Sequence, residues 1–131
     1  MSQYITQVFA HNSAPERDSE IIGTMVQGLI DQGIKVFYLD GRAINSKKSF
    51  FSKAAEVMQF PEYFGHNWDA FDECITDLEW VPAKRYVLIY NKPNLFAETN
   101  PLDWQIAYDT LQSAVDYWQS TDTPMDILFI S

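Results

Sequence analysis

The sequence predicts an α/β layer fold, a small parallel β-sheet packed with helices. Three observations carry that expectation. Short apolar runs alternate with segments of helical periodicity along the chain, the pattern of strands joined by crossover helices. The run Tyr86-Val87-Leu88-Ile89-Tyr90 is apolar at every position, as a strand buried on both faces of a parallel sheet must be. With 131 residues, 47% of them hydrophobic and 15% aromatic, the chain can fill one core and is not disordered.

The elements follow in order. Gln3 to Phe9 alternates weakly, as a short strand would, and Ala10 to Arg17, with Pro15, reads as loop. Ser19 to Gln32 has helical spacing, with Ile21, Ile22, Met25, Leu29 and Ile30 as its apolar face and Gly33 as C-cap. Ile34 to Leu39 is a strand closed by Asp40-Gly41. A second helix runs from Ser46 to Met58, with Ser46 or Ser49 as its cap and Phe50, Ala54 and Val57 inward. After the third helix and the strand at 86–90, Asn91 to Glu98 with Pro93 reads as loop. Asn100-Pro101, a cap and a first-turn proline, opens a fourth helix whose apolar face is Trp104, Tyr108, Leu111, Val115 and Trp118. Thr121 to Pro124 turns the chain into a last strand, Met125 to Ile130. One domain is expected, without repeat, linker or low-complexity tract.

The third helix carries the chemistry. Phe60 to His66 is a loop punctuated by Pro61 and Gly65, and Asn67 is the N-cap. Trp68, Phe71, Ile75 and Leu78 form the apolar stripe. Asp69, Asp72, Glu73, Thr76 and Asp77 share another face, so four carboxylates line up with no Lys or Arg among them. Like charges at that spacing repel by roughly a few tenths of a kcal/mol per pair, so folding alone gives no reason to gather them. The pattern serves a solvated face as well as a docking surface for a basic partner. Tyr63 and Gly65, just ahead of the acids, are placed as a contact loop would place them, which favours the second.

Charge distribution agrees. The net charge is −9. Residues 1–61 hold six acids and six bases, and residues 62–131 hold twelve acids against Lys84, Arg85 and Lys92, which accounts for all of it. Phosphate contacts need Lys and Arg, so nucleic acid is disfavoured as a direct ligand, whereas a basic protein partner would be steered inward. With one cysteine there is no internal disulfide framework, and no signal-like segment or apolar run of about 20 residues suggests secretion or a membrane span. A cytoplasmic location is expected.

Leu39-Asp40-Gly41, Ile44, Phe50-Phe51 and above all Pro61-Glu62-Tyr63-Phe64-Gly65-x-Asn67-x-Asp69-Ala70-Phe71 resemble the barstar family of ribonuclease inhibitors. The resemblance implies a barstar-like three-layer fold in residues 34–131. Residues 1–33 depart from the shortest chains of that type and are expected to add an N-terminal βα unit at a sheet edge, with a second binding surface as the alternative. It implies no enzymatic activity and no cofactor. It implies an antitoxin-like inhibitor, monomeric when free, whose partner is a basic extracellular or toxin-type ribonuclease. Carried over residue by residue, the partner-binding set is Tyr63, Gly65, Asn67, Asp69, Asp72, Glu73 and Thr76. Asp72 stands where the family's prototype has a tryptophan, and Glu73 where it has an aspartate. Glu98 is the nearest match to a further family carboxylate. These departures bear on which ribonuclease is recognised, and an acidic interaction or immunity module for another basic protein or toxin is the alternative.

Other chemistries fit less well. Cys74 with His66 could suggest a thiol nucleophile and base, but helical spacing turns Cys74 toward Phe71 and Ile75. His66, Asp69 and Glu73 descend one face and could ligate a metal, although ligands from consecutive turns rarely converge without one from elsewhere. Paired carboxylates at Asp69 and Glu73 are too close and exposed for a glycosidase cleft. There is no Gly-rich phosphate loop, G-x-S-x-G or C-x-x-C motif. Trp68, Trp104 and Trp118 are expected in the core, while Trp80 has no evident place.

Overall fold

The computed structural model describes residues 5–8 and 15–130, with side chains from Glu20 to Ile130. Its elements are β1 (Ile5–Val8), α1 (Pro15–Asp31), β2 (Lys35–Asp40), α2 (Lys47–Met58), α3 (Trp68–Ile75), β3 (Tyr86–Asn91), α4 (Asn94–Thr99), α5 (Pro101–Gln119) and β4 (Met125–Ile130), with a 3-10 turn at Gly41–Ala43. The four strands form one parallel sheet in the order β1-β4-β3-β2. The strands expected at 34–39, 86–90 and 125–130 therefore pair in parallel, and β1 extends their sheet by pairing with β4, Ile5 opposite Ile127 through Val8 opposite Ile130.

Alternation along the strands divides the core in two. Phe37, Leu39, Tyr86, Leu88, Tyr90, Met125, Ile127 and Phe129 face the layer built by α2, α3, α4 and α5. Val87, Ile89 and Ile130, with half-buried Val36, Tyr38 and Leu128, face α1. This period of two is intrinsic to the pleat. Because β3 lies between β2 and β4 and beneath both layers, each of its residues is buried, as its unbroken apolar run requires.

Local chemistry explains the element ends. Ser46 and Ser49 exchange side-chain bonds with each other's backbone amides at 3.1 Å, a capping box at the start of α2. On α2 the inward set widens to Phe50, Phe51, Ala54 and Met58, and Val57 is half-buried. Gly33 follows α1 at φ 79, a conformation glycine adopts without penalty.

Four expectations need correction. On α1, Ile22 is buried and Met25, Val26 and Leu29 pack beside it, but Ile21 and Ile30 stay 39% and 49% exposed. A helix lying across a sheet buries a narrower stripe than its apolar residues span. The start of α1 at Pro15 takes residues 15–17 out of the expected loop, whose residues 10–14 lie outside the described residues, as do residues 3, 4 and 9 of the expected first strand. Asn94–Thr99 is helical, not loop. Phe96 is fully buried, with ring centroids 5.7 Å from Phe50 and 6.0 Å from Trp104, and that anchorage stabilises a helix too short to persist alone. Finally, Asn100 precedes α5 without capping it: its side-chain amide donates instead to Asn45 O at 2.6 Å, while Pro101 begins the helix as expected.

Candidate functional site

The loop into α3 is held by its own apolar side chains. Phe64 is buried, with ring centroids 5.0 Å from Phe60 and 5.7 Å from Phe51. Its neighbour Tyr63 points the other way and is 72% exposed. His66 takes φ 52, in the left-handed region, and its ring lies 4.7 Å from that of Phe64. Asn67 then caps α3. Its Oδ1 accepts from Ala70 N at 2.8 Å and its Nδ2 donates to Gly65 O at 3.3 Å, so both ends of the amide hold the loop to the helix. A Cβ on Gly65 would approach that same Nδ2 to 3.1 Å, which leaves little room for a larger residue.

α3 is shorter than its periodicity suggests. It ends at Ile75, where Thr76 Oγ1 donates back to Asp72 O at 2.7 Å and Leu78, fully buried, turns through φ 49. Asp77 therefore sits in the following turn, and the helix proper carries Asp69, Asp72 and Glu73. All four carboxylates are exposed, and among the described residues none pairs with a Lys, Arg or His. The apolar face is in the core as expected: Phe71 and Ile75 are fully buried and Trp68 packs on Phe50 and Phe51.

The hydroxyl pKa of Tyr63 is raised, first by desolvation and then by nearby acidic groups, among them Asp77, Glu79 and Glu73. Tyr63 and the acidic face thus share one electrostatic environment. Asp69, Asp72 and Glu73 offer acceptors to the outside, whereas Asn67 and Thr76 spend side-chain hydrogen bonds on the helix ends and act as its frame. Glu98 is exposed on α4.

The competing chemistries find no support in the geometry. Cys74 is 3% exposed, and burial first, then Asp77 and Glu73, push its thiol pKa up, the reverse of what a nucleophile needs. His66, Asp69 and Glu73 do not form a ligand set: among the described residues no three His, Cys, Asp or Glu side chains are gathered closely enough to hold a metal ion. The expected core placement of the tryptophans holds, with Trp118 8% exposed and Trp68 and Trp104 half-buried against the core. Trp80, for which the sequence offered no place, braces the site from behind: its Nε1 donates to Met58 O at 2.8 Å and its ring meets that of Phe60.

α3 is fixed to the body at its far end as well. Trp118 Nε1, in the last turn of α5, donates to Ile75 O at 2.8 Å. Tyr86 of β3 donates from its hydroxyl to Val81 O at 2.7 Å, fastening the segment that follows. No helix among the described residues is long and apolar enough to cross a membrane. A family model described as "Barstar (barnase inhibitor)" matches residues 34–130, well over half of the chain. No curated protein matches the chain.

Proposed function

The chain belongs to the barstar family, and from that premise we propose that it inhibits a basic, barnase-like ribonuclease by covering the enzyme's active site with α3 and the loop before it. The family consists of non-enzymatic inhibitors, and membership suggests ribonuclease inhibition. The observation that carries the mechanism is the uncompensated acidic face: Asp69, Asp72 and Glu73 on one rigid helix, exposed and unpaired among the described residues, with exposed Tyr63 at its entrance.

A ribonuclease gathers cationic side chains around the scissile phosphate. Carboxylates of α3 take the place of phosphate oxygens there, with charge-assisted and, from Arg, bidentate hydrogen bonds. Asp69 and Glu73 lie one helical turn apart and enter one concave site together. Tyr63 closes over it from the loop, and Asp72 extends the negative face. Gly65, Asn67 and Thr76 hold the loop and helix ends in the binding geometry. The net charge of −9 accelerates encounter with a basic enzyme in a salt-dependent way. In the producing cell's cytoplasm such a protein is the antidote to its own ribonuclease.

The test is inhibition of a barnase-like ribonuclease by the full chain. Glu73→Ala and Asp69→Ala should each weaken inhibition by about 2–5 kcal/mol, the range general to truncated buried ion pairs, chiefly by faster dissociation. Glu20→Gln on α1, in the opposite layer, should leave the dissociation rate unchanged. Thermal stability of Glu73→Ala should hold or rise by roughly a few tenths of a kcal/mol, since α3 loses like-charge repulsion, whereas Asp69→Ala should stay within about 1 kcal/mol of wild type because it also gives up a favourable first-turn carboxylate. Wild-type inhibition by both Ala variants, or loss only through unfolding, rules out the acidic helix as the binding face. Asp72 supports a second reading. A fully charged residue stands where the family prototype has an aromatic one, which suits a basic toxin of another kind; that reading predicts no inhibition of barnase-like enzymes but capture of a different basic protein through the same Asp69 and Glu73.

A further inference from the structure

The N-terminal unit creates a second surface with the opposite chemistry. A groove of about 740 Å³ opens between the end of α1 and the segment entering β3. Ile30, at the end of α1, and Ile34 line one wall, and Pro82 belongs to the other. Around these apolar groups stand Lys35, Lys84 and Arg85. Three of the nine Lys and Arg residues therefore meet in one groove of a chain whose net charge is −9. Two of the three bases in residues 62–131 are here.

These charges are largely uncompensated. Arg85 pairs with Asp126 of β4. Lys35 and Lys84 have no carboxylate in ion-pair range among the described residues, and the Lys35 ammonium is carried 5.8 Å above the ring centroid of Phe37. Ile30 is 49% exposed, a large apolar side chain left in water where it lines the groove. Folding rewards Lys35 only through its contact with the Phe37 ring and gives no such return for Lys84 or for the exposed Ile30. A basic enzyme docking on α3 has no use for them, since cations repel it.

We infer that this groove docks an acidic peptide segment of a protein partner, with carboxylates on Lys35, Lys84 and Arg85 and an apolar side chain on Ile30 and Ile34. Charge complementarity sets the sign of the ligand, and the apolar walls distinguish a peptide from nucleic acid, whose phosphates and sugars gain nothing from isoleucine and proline. The groove is open rather than enclosed, which suits an extended chain better than a small molecule. One wall belongs to residues before Ile34, outside the stretch matched to the barstar family, so the site is an addition made by the N-terminal unit and independent of the face on α3.

The test uses the full chain and a short fluorescent peptide alternating glutamate and leucine, read by anisotropy at about 0.15 M salt, where charges beyond about 8 Å are screened. Saturable binding is expected. Lys84→Glu combined with Lys35→Glu should weaken it by about tenfold or more, and Ile30→Ser by several-fold, with circular dichroism unchanged because all three side chains are at least partly exposed. Lys84→Glu should still inhibit the ribonuclease as wild type does, which separates this site from the acidic face. The inference is overturned if the peptide fails to bind, if the folded charge-reversal variant binds it as wild type does, or if single-stranded RNA competes as well as unlabelled peptide.

Discussion

Tyr90 is the one buried side-chain polar group without a hydrogen-bond partner among the described residues. It projects from β3 into the main core at 0% exposure, with ring centroids 5.7 Å from Trp104, 5.9 Å from Phe129 and 6.3 Å from Phe50. Those neighbours receive the ring well and offer the hydroxyl no good acceptor. Stranding a buried hydroxyl costs about 1–3 kcal/mol. The oxygen's dispersion contacts, at about 0.1–0.2 kcal/mol per atom pair, return a fraction of that. Tyr90→Phe removes the oxygen alone and should therefore stabilise the protein by about 1 kcal/mol at pH 7, with the urea midpoint raised and the slope unchanged. In melting temperature this is about 3–5 °C for a chain of this size.

An independent signature lies at alkaline pH. Burial pushes the Tyr90 phenol well above its ordinary value of 10.0, so the folded chain keeps the proton after the unfolded chain has lost it. Below pH 10 both states keep the proton and this group leaves stability independent of pH; as pH rises from there toward the folded-state value, stability is lost progressively. Wild type should thus lose up to about 1.4 kcal/mol per pH unit more than the Phe variant above pH 10. Tyr38 and Tyr86, also raised chiefly by burial, contribute equally to both proteins and cancel in the comparison. Urea titrations of both proteins at pH 7 and across pH 9.5–11 decide the matter. A Phe variant less stable by 1 kcal/mol, or parallel alkaline profiles, would refute an orphaned hydroxyl.

Two further outcomes concern the frame of the site. A Cβ on Gly41 would overlap the backbone oxygens of Asn91 and Lys92, which belong to the sheet end and cannot yield, so Gly41→Ala should destabilise by about 3 kcal/mol or more in chemical denaturation. Trp118→Phe leaves Ile75 O without its donor in a buried setting and should cost about 1–3 kcal/mol. Hydrogen exchange of the α3 amides should quicken more in this variant than that of β3. Equal loss of protection in both would mean that Trp118 supports the core at large and not the end of α3.

Much of this protein was legible in its sequence because the relevant forces act within a few residues. Ser46 and Asn67 cap their helices as their positions suggest, since a cap is a bond to an amide two or three residues on. The unbroken apolar run at 86–90 marked a central strand because no face of it meets water. The acids of α3 were assigned to one face by helical spacing, and the structure leaves them exposed. What needed tertiary structure depended on partners far along the chain. α4 lacks a capping side chain and follows Pro93, yet Phe96 finds Phe50 and Trp104, and Thr99 donates to Asn45 O at 2.8 Å across 54 positions. Asn100 has the composition of a cap but is drawn to the same carbonyl. Asp77 leaves the helix because Leu78 is pulled into the core. Trp80 gained its place only through Met58. Strand order belongs to the same class: β1 lies beside β4, the first strand against the last, although the other edge of the three strands, β2, is equally open to pairing, and nothing local distinguishes the two. Helical periodicity and capping are local and leave their pattern in neighbouring residues, whereas packing and edge pairing join residues whose separation in sequence carries no signal.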